Sequence, residues 1–133
     1  MEKFKIGIVS VDEHASFVQR NMSATIESLK ALGCSEQNIL VRHAPRITNV
    51  ALLVQFFAEY TDVDAVVVLT QREESAEYAA MLYGVSKLQI LWNMPVVIGD
   101  CTVVADAIDM VTIQNEMEAA APEHTAPDRK SIN

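Results

Sequence analysis

The chain has 133 residues, half of them hydrophobic, and 18 Asp and Glu against 10 Lys and Arg give a formal net charge of −8. That length suits one domain with a core of its own, and the charge excludes a broad nucleic-acid footprint, which needs a basic surface. It equally excludes capture of a polyanion by general field, so a phosphorylated ligand would need a dedicated local site.

The opening MEKFKIGIVSV holds an apolar run too short for a signal-peptide core, with no small-residue cleavage site after it. A cytoplasmic protein is expected. No run approaches the roughly 18–20 apolar residues of a membrane span. The first strand falls in FKIGIVSV (4–11). Residues 14–32 have helical length, with Phe17, Val18, Met22, Ile26, Leu29 and Leu32 on one stripe and Gly33 as the stop. NILVRH (38–43) is the second strand, and a second helix follows Pro45 over 47–60. DAVVVLT (64–70) is the third strand, followed by a helix over 75–93 that ends before Pro95. PVVIGD (95–100) is the fourth strand, and 103–119 is a last helix carrying Val104, Ile108, Val111 and Met117.

Strands two to four are nearly unbroken apolar runs, as a parallel sheet covered on both faces requires. The alternation predicts a three-layer α/β/α domain over residues 1–120, with a four-stranded parallel sheet and flavodoxin-like winding. The segment from 121 to 133 has Pro, charge and no apolar period, the composition of a disordered tail. Helices two and three add a further constraint. Among residues 50–58 only Gln55 is a polar side chain, and residues 78–85 carry no charge. Helices apolar all round are buried, and so small a domain needs another copy to bury them. Self-association is the inference, and a charge placed at Leu53 or Phe57 should break the assembly.

Ligands of open parallel sheets gather beyond the carboxyl ends of the strands. There the sequence places Ser10, Asp12, Glu13 and His14, then His43, Pro45, Arg46, Thr48 and Asn49. Thr70, Gln71, Arg72, Glu73 and Glu74 follow strand three, and Asp100, Cys101 and Thr102 follow strand four. Asp12, Pro45, Arg46, Thr48, Asn49, Thr70, Arg72, Asp100 and Thr102 are the candidate ligand-binding residues. None of the four glycines is in G-x-G or P-loop spacing. An anion could still sit at a helix start, at Thr48 or Ser75, through free backbone N–H groups. His14 and His43 are the catalytic candidates, the only ones outside the tail for a neutral-pH base. Their plainer readings are a first-turn helix residue and a strand-end cap. Glu73-Glu74 reads as a charge pair at a helix start. Cys34 and Cys101 read as free, buried thiols, and the three histidines lack zinc-ligand spacing, so neither metal nor cofactor is expected.

These residues carry a resemblance over most of residues 4–110. KIGIVSV (5–11), ATIESLKALGCSEQNILVRHAP (24–45), DVDAVVVL (62–69) and GVSKLQILWNMPVVIGDCT (84–102) resemble the scaffold of the lumazine synthase family, which makes 6,7-dimethyl-8-ribityllumazine for riboflavin biosynthesis. The resemblance implies the fold above, assembly as a pentamer or larger shell, and a flavin-like or ribityl ligand. The chemical motifs depart from the family. Val11-Asp12-Glu13 replaces an aromatic and Asn, and Pro45-Arg46-Ile47-Thr48-Asn49 replaces Pro-Gly-Ala-Phe-Glu. Thr70–Ser75 is shorter than the Gly-rich loop and lacks its catalytic His, and 103–119 lacks the Arg and Lys that grip phosphate.

The family's condensation needs a proton shuttle and a cationic grip on phosphate. A divergent member with retained assembly and reduced or lost activity is therefore expected. One alternative is an active enzyme with a rebuilt loop, using His43 or His14 against a neighbour's Asp100-Cys101-Thr102. Another is a flavodoxin- or receiver-like small-molecule module, for which Asp12-Glu13 is suggestive but no Asp closes strand three.

Overall fold

The computed structural model describes residues 4–122. Four strands, β1 (Ile6–Val11), β2 (Ile39–Ala44), β3 (Ala65–Leu69) and β4 (Val96–Gly99), form one all-parallel sheet in the order β2-β1-β3-β4. Helices α1 (Ala15–Ala31) and α4 (Val104–Ala120) pack on one face, and α2 (Val50–Tyr60) and α3 (Ala76–Trp92) pack on the other. This is the expected three-layer α/β/α arrangement. Residues 123–133, where most of the sequence-predicted tail falls, lie outside the described residues. Among the described residues no helix is long and apolar enough to cross a membrane.

Strand parity divides the core. Ile6, Ile8, Ala65, Val67 and Leu69 meet α1 and α4, while Val9, Val11, Val66 and Val68 meet α2 and α3. The interior strands β1 and β3 are buried at every position, as continuous apolar runs require. β2 and β4 are less covered than their composition suggests, because the winding puts them at the sheet edges. Arg42 and His43 of β2 are exposed.

Gly7 is required by a close approach. A Cβ there would stand 2.7–2.9 Å from three ring atoms of Phe57, so α2 lies directly on β1. Gly33, with φ +108°, ends α1, and its N–H donates to the Lys30 carbonyl at 3.1 Å.

The apolar excess of α2 and α3 is split between core and surface. Phe57 is 2% exposed and Leu53 packs against the core, so neither offers a clean test of an interface. The outward large apolar residues are Leu52, Phe56 and Tyr60 on α2 and Leu82, Tyr83, Ile90 and Leu91 on α3. Leu32, placed on the apolar stripe of the first helix by periodicity, is exposed because it lies past the end of α1, and Met117 is exposed near the end of α4.

Candidate functional site

In this winding the crevice lies between β1 and β3, where the strand order reverses. One 3-10 turn, Asp12–His14, follows β1 there, and each of its three side chains goes to a different segment. The parallel register explains the reach: β1 is central, so its end faces the ends of both β2 and β3.

Asp12 turns toward β2. Its Oδ1 lies 3.7 Å from His43 Nδ1, and the same ring nitrogen lies 2.5 Å from Ser10 Oγ. Ser10 and His43 are direct register partners. A nucleophile relay needs the hydroxyl and the carboxylate on opposite ring nitrogens. Here both address Nδ1, and Ser10 is 1% exposed beneath the exposed His43 and Asp12, so the serine is a buried hydrogen-bond partner rather than an activated nucleophile.

Glu13 turns toward the start of α2. Its Oε1 accepts the Ile47 N–H at 2.7 Å, and Oε2 accepts from Arg46 Nη1 at 3.3 Å. Asn49 Oδ1 accepts the Arg46 N–H at 3.0 Å and completes the turn before the helix. The helix start that could hold an external anion is thus served by the chain's own carboxylate. Thr48 instead lines the groove between α2 and α3 with Leu52, Gln55, Lys87 and Leu91. Pro45 is an exposed link between β2 and this turn.

His14 turns toward the loop after β3. Its Nδ1 accepts the Gln71 N–H at 3.1 Å and lies 2.8 Å from Thr70 Oγ1, and its Nε2 lies 3.7 Å from Glu73 Oε1. A backbone donor on Nδ1 places the neutral ring's proton on Nε2, facing Glu73. His14 is therefore neither an exposed helix residue, its side chain being 11% exposed, nor a ring with a free basic nitrogen. To act as a base it would have to release the Gln71 N–H from Nδ1.

The start of α3 and the turn that leads into α4 are closed as well. Asp100 Oδ1 accepts from Thr102 N at 2.8 Å and Thr102 Oγ1 at 2.5 Å, and these bonds hold its carboxyl below the usual range. Asn21 of α1 accepts the Cys101 N–H at 3.1 Å and donates to the Phe17 carbonyl. Ser75 Oγ accepts the Tyr78 N–H at 3.1 Å at the start of α3. Beside it Arg72, Glu73, Glu74, Tyr78 and Leu82 surround an open cleft of about 490 Å³.

Asp12, Arg46, Asn49 and Thr70 are thus gathered around one turn, with Glu13 and Gln71 as working partners. Arg72 borders the separate α3 cleft, and Asp100 with Thr102 forms a self-contained cap. Asn21 carries no sequence signal, since its partner Cys101 is 80 residues away. Both cysteines are free, and burial, with a smaller contribution from Asp64, pushes the Cys34 thiol up to about 11. Among the described residues no cluster of three or more potential ligands could hold a metal ion. A scan of the sequence against protein-family models finds no match, and a search of curated proteins finds none either.

Proposed function

We propose that this chain is a divergent lumazine-synthase-like subunit that keeps a self-assembling scaffold and has lost the family's condensation chemistry. The observation that carries the reading is Glu13, whose carboxylate takes the Ile47 N–H and Arg46 where a substrate's anionic group would need them. An acidic rim with its arginine paired repels a phosphomonoester. His14, held by Gln71 through Nδ1, supplies no ready proton shuttle. Assembly is supported by the outward Leu52, Tyr83 and Leu91 on the α2–α3 face, an open groove of about 810 Å³. A ribityl or flavin-like ligand remains the small molecule to test.

The test supplies purified protein with the pyrimidinedione amine and the butanone phosphate and follows lumazine fluorescence. No product at high protein concentration is expected, while sedimentation gives a mass several-fold above 14.7 kDa. Leu91→Glu, an exposed position, should shift that mass toward the monomer. Turnover would overturn the loss of chemistry, and a monomeric wild type would overturn the assembly.

One observation favours the alternative of an active enzyme with a rebuilt loop. Glu73, which lines the cleft that Arg72 borders, lies 3.7 Å from His14 Nε2 and so links a proton carrier to a cation. On that reading product forms, and His14→Gln abolishes it.

A further inference from the structure

We propose that the His14 ring is a pH-operated latch: on protonation it lets go of the Gln71 N–H and loosens the segment between β3 and α3. That segment is pinned at both ends. The Thr70 N–H donates to the Gly99 carbonyl at 3.2 Å, and Ser75 caps α3. Between these pins Gln71, Arg72 and Glu73 are exposed and belong to no helix or strand. Among the described residues, two polar contacts tie these three to another segment. The Gln71 N–H lies 3.1 Å from His14 Nδ1, and Glu73 Oε1 lies 3.7 Å from His14 Nε2. Both end on one titratable ring.

The two contacts respond to protonation in opposite ways. Nδ1 accepts an N–H only while it carries no proton, and an imidazolium ring donates from both nitrogens. A backbone N–H cannot reverse its role, so a protonated Nδ1 sets two donors against each other across the Gln71 contact. Thr70 Oγ1, 2.8 Å from Nδ1, can reverse, because a hydroxyl both donates and accepts. The added proton therefore goes to Thr70, and the N–H of the exposed Gln71 turns to water. Nε2–H keeps Glu73, now as an ion pair. Acid thus exchanges a directional bond at the root of the segment for a charge contact farther along it. Arg72 and Glu73 line the cleft at the start of α3, so the wall of that cleft loosens with the latch.

Glu73 is the charged group paired with the ring. Asp12 and Glu13 of the same turn face His43 and Arg46, and β3 carries no charge. The first charged residue of α1 is Arg20, more than a turn along the helix, and Asp100, ahead of α4, binds Thr102. Imidazole side chains change charge between about pH 5 and 8, and the latch works in that range.

Imidazole and amide 15N spectra of the full-length protein, followed from about pH 8 to about pH 5, test it. At the alkaline end the His14 proton is expected on Nε2. On acidification the Gln71 amide resonance should move upfield with the same midpoint as the ring, and its protection from hydrogen exchange should be lost. His14→Asn offers an acceptor near the place of Nδ1 that does not titrate, so the Gln71 step should vanish. Glu73→Gln should move the midpoint to lower pH, because the carboxylate favours the charged ring. His43→Asn, at the other described histidine, should leave the step in place. A wild-type His14 proton on Nδ1 at the alkaline end, or a Gln71 amide that does not titrate, would overturn the proposal. So would a step that survives His14→Asn, a step lost in His43→Asn, or an unmoved midpoint in Glu73→Gln. None of these readouts depends on whether lumazine is formed, so the latch and the loss of condensation chemistry stand or fall separately.

Discussion

Replacing Glu13 tests the central claim about the rim. Glu13→Ala removes a 2.7 Å bond to the Ile47 N–H, a 3.3 Å bond to Arg46 and a negative charge at the start of α2. Loss of a capping acceptor costs about 1 kcal/mol, and loss of a favourable charge at a helix start about 0.5 kcal/mol. The Arg46 guanidinium is 73% exposed, so its pairing adds little. The sum is about 1.5 kcal/mol, or about 5 °C in Tm for a domain of this size. Glu13→Gln keeps an oxygen for Ile47 and loses only the charge, so it should cost about 0.5 kcal/mol. Urea unfolding followed by Trp92 fluorescence, at fixed protomer concentration, measures both. Inorganic phosphate should then stabilise Glu13→Ala, with its helix start and Arg46 vacated, and leave the wild type unchanged. Equal costs for Ala and Gln, or an equal response of wild type and Glu13→Ala to phosphate, would refute the reasoning.

Gly7→Ala must push back the Phe57 ring and should cost about 1–2 kcal/mol despite the entropy gained over glycine. Phe57→Leu should relieve it, so a double-mutant cycle should show clear coupling, and additive effects would contradict the close approach. A thiol reagent near neutral pH should label Cys101, with Cys34 reacting only on unfolding. Because burial raises the Cys34 pKa in the folded state, its contribution to stability is complete below the ordinary thiol range. That contribution is lost as pH rises from about 8.5 toward 11, and Cys34→Ala should remove this alkaline loss. For Asp100, lowered by Thr102, the sign is opposite: the stability difference between wild type and Asp100→Asn should persist above about pH 4 and shrink as pH falls below it. A difference independent of pH would contradict the lowered carboxyl.

Much of this architecture was legible in the linear order of residues. The apolar runs at Ile6–Val11 and Ala65–Leu69 lie in central strands, and Gly33 and Pro95 bound the elements as breakers should. These signals are local: burial, periodicity and backbone restriction act within a few residues of one another, so a sequence displays them directly. The rim was legible as a place, since strand ends can be counted, and Asp12, Arg46 and Thr70 do lie there.

Their partners were not legible. Glu13 meets Ile47 across 34 positions, His14 meets Gln71 across 57, and Asn21 meets Cys101 across 80. Nothing near Glu13 in the sequence shows that it serves a helix start, or that His14 spends its basic nitrogen on a backbone N–H. The parallel order β2-β1-β3-β4 brings those loops to one edge, and hydrogen-bond geometry then decides which groups are used up. Composition determined that α2 and α3 carry more apolar surface than one sheet needs. Only packing decided that Phe57 fills the space left by Gly7 while Leu91 faces outward, because only about half a helical turn separates a core position from an exposed one.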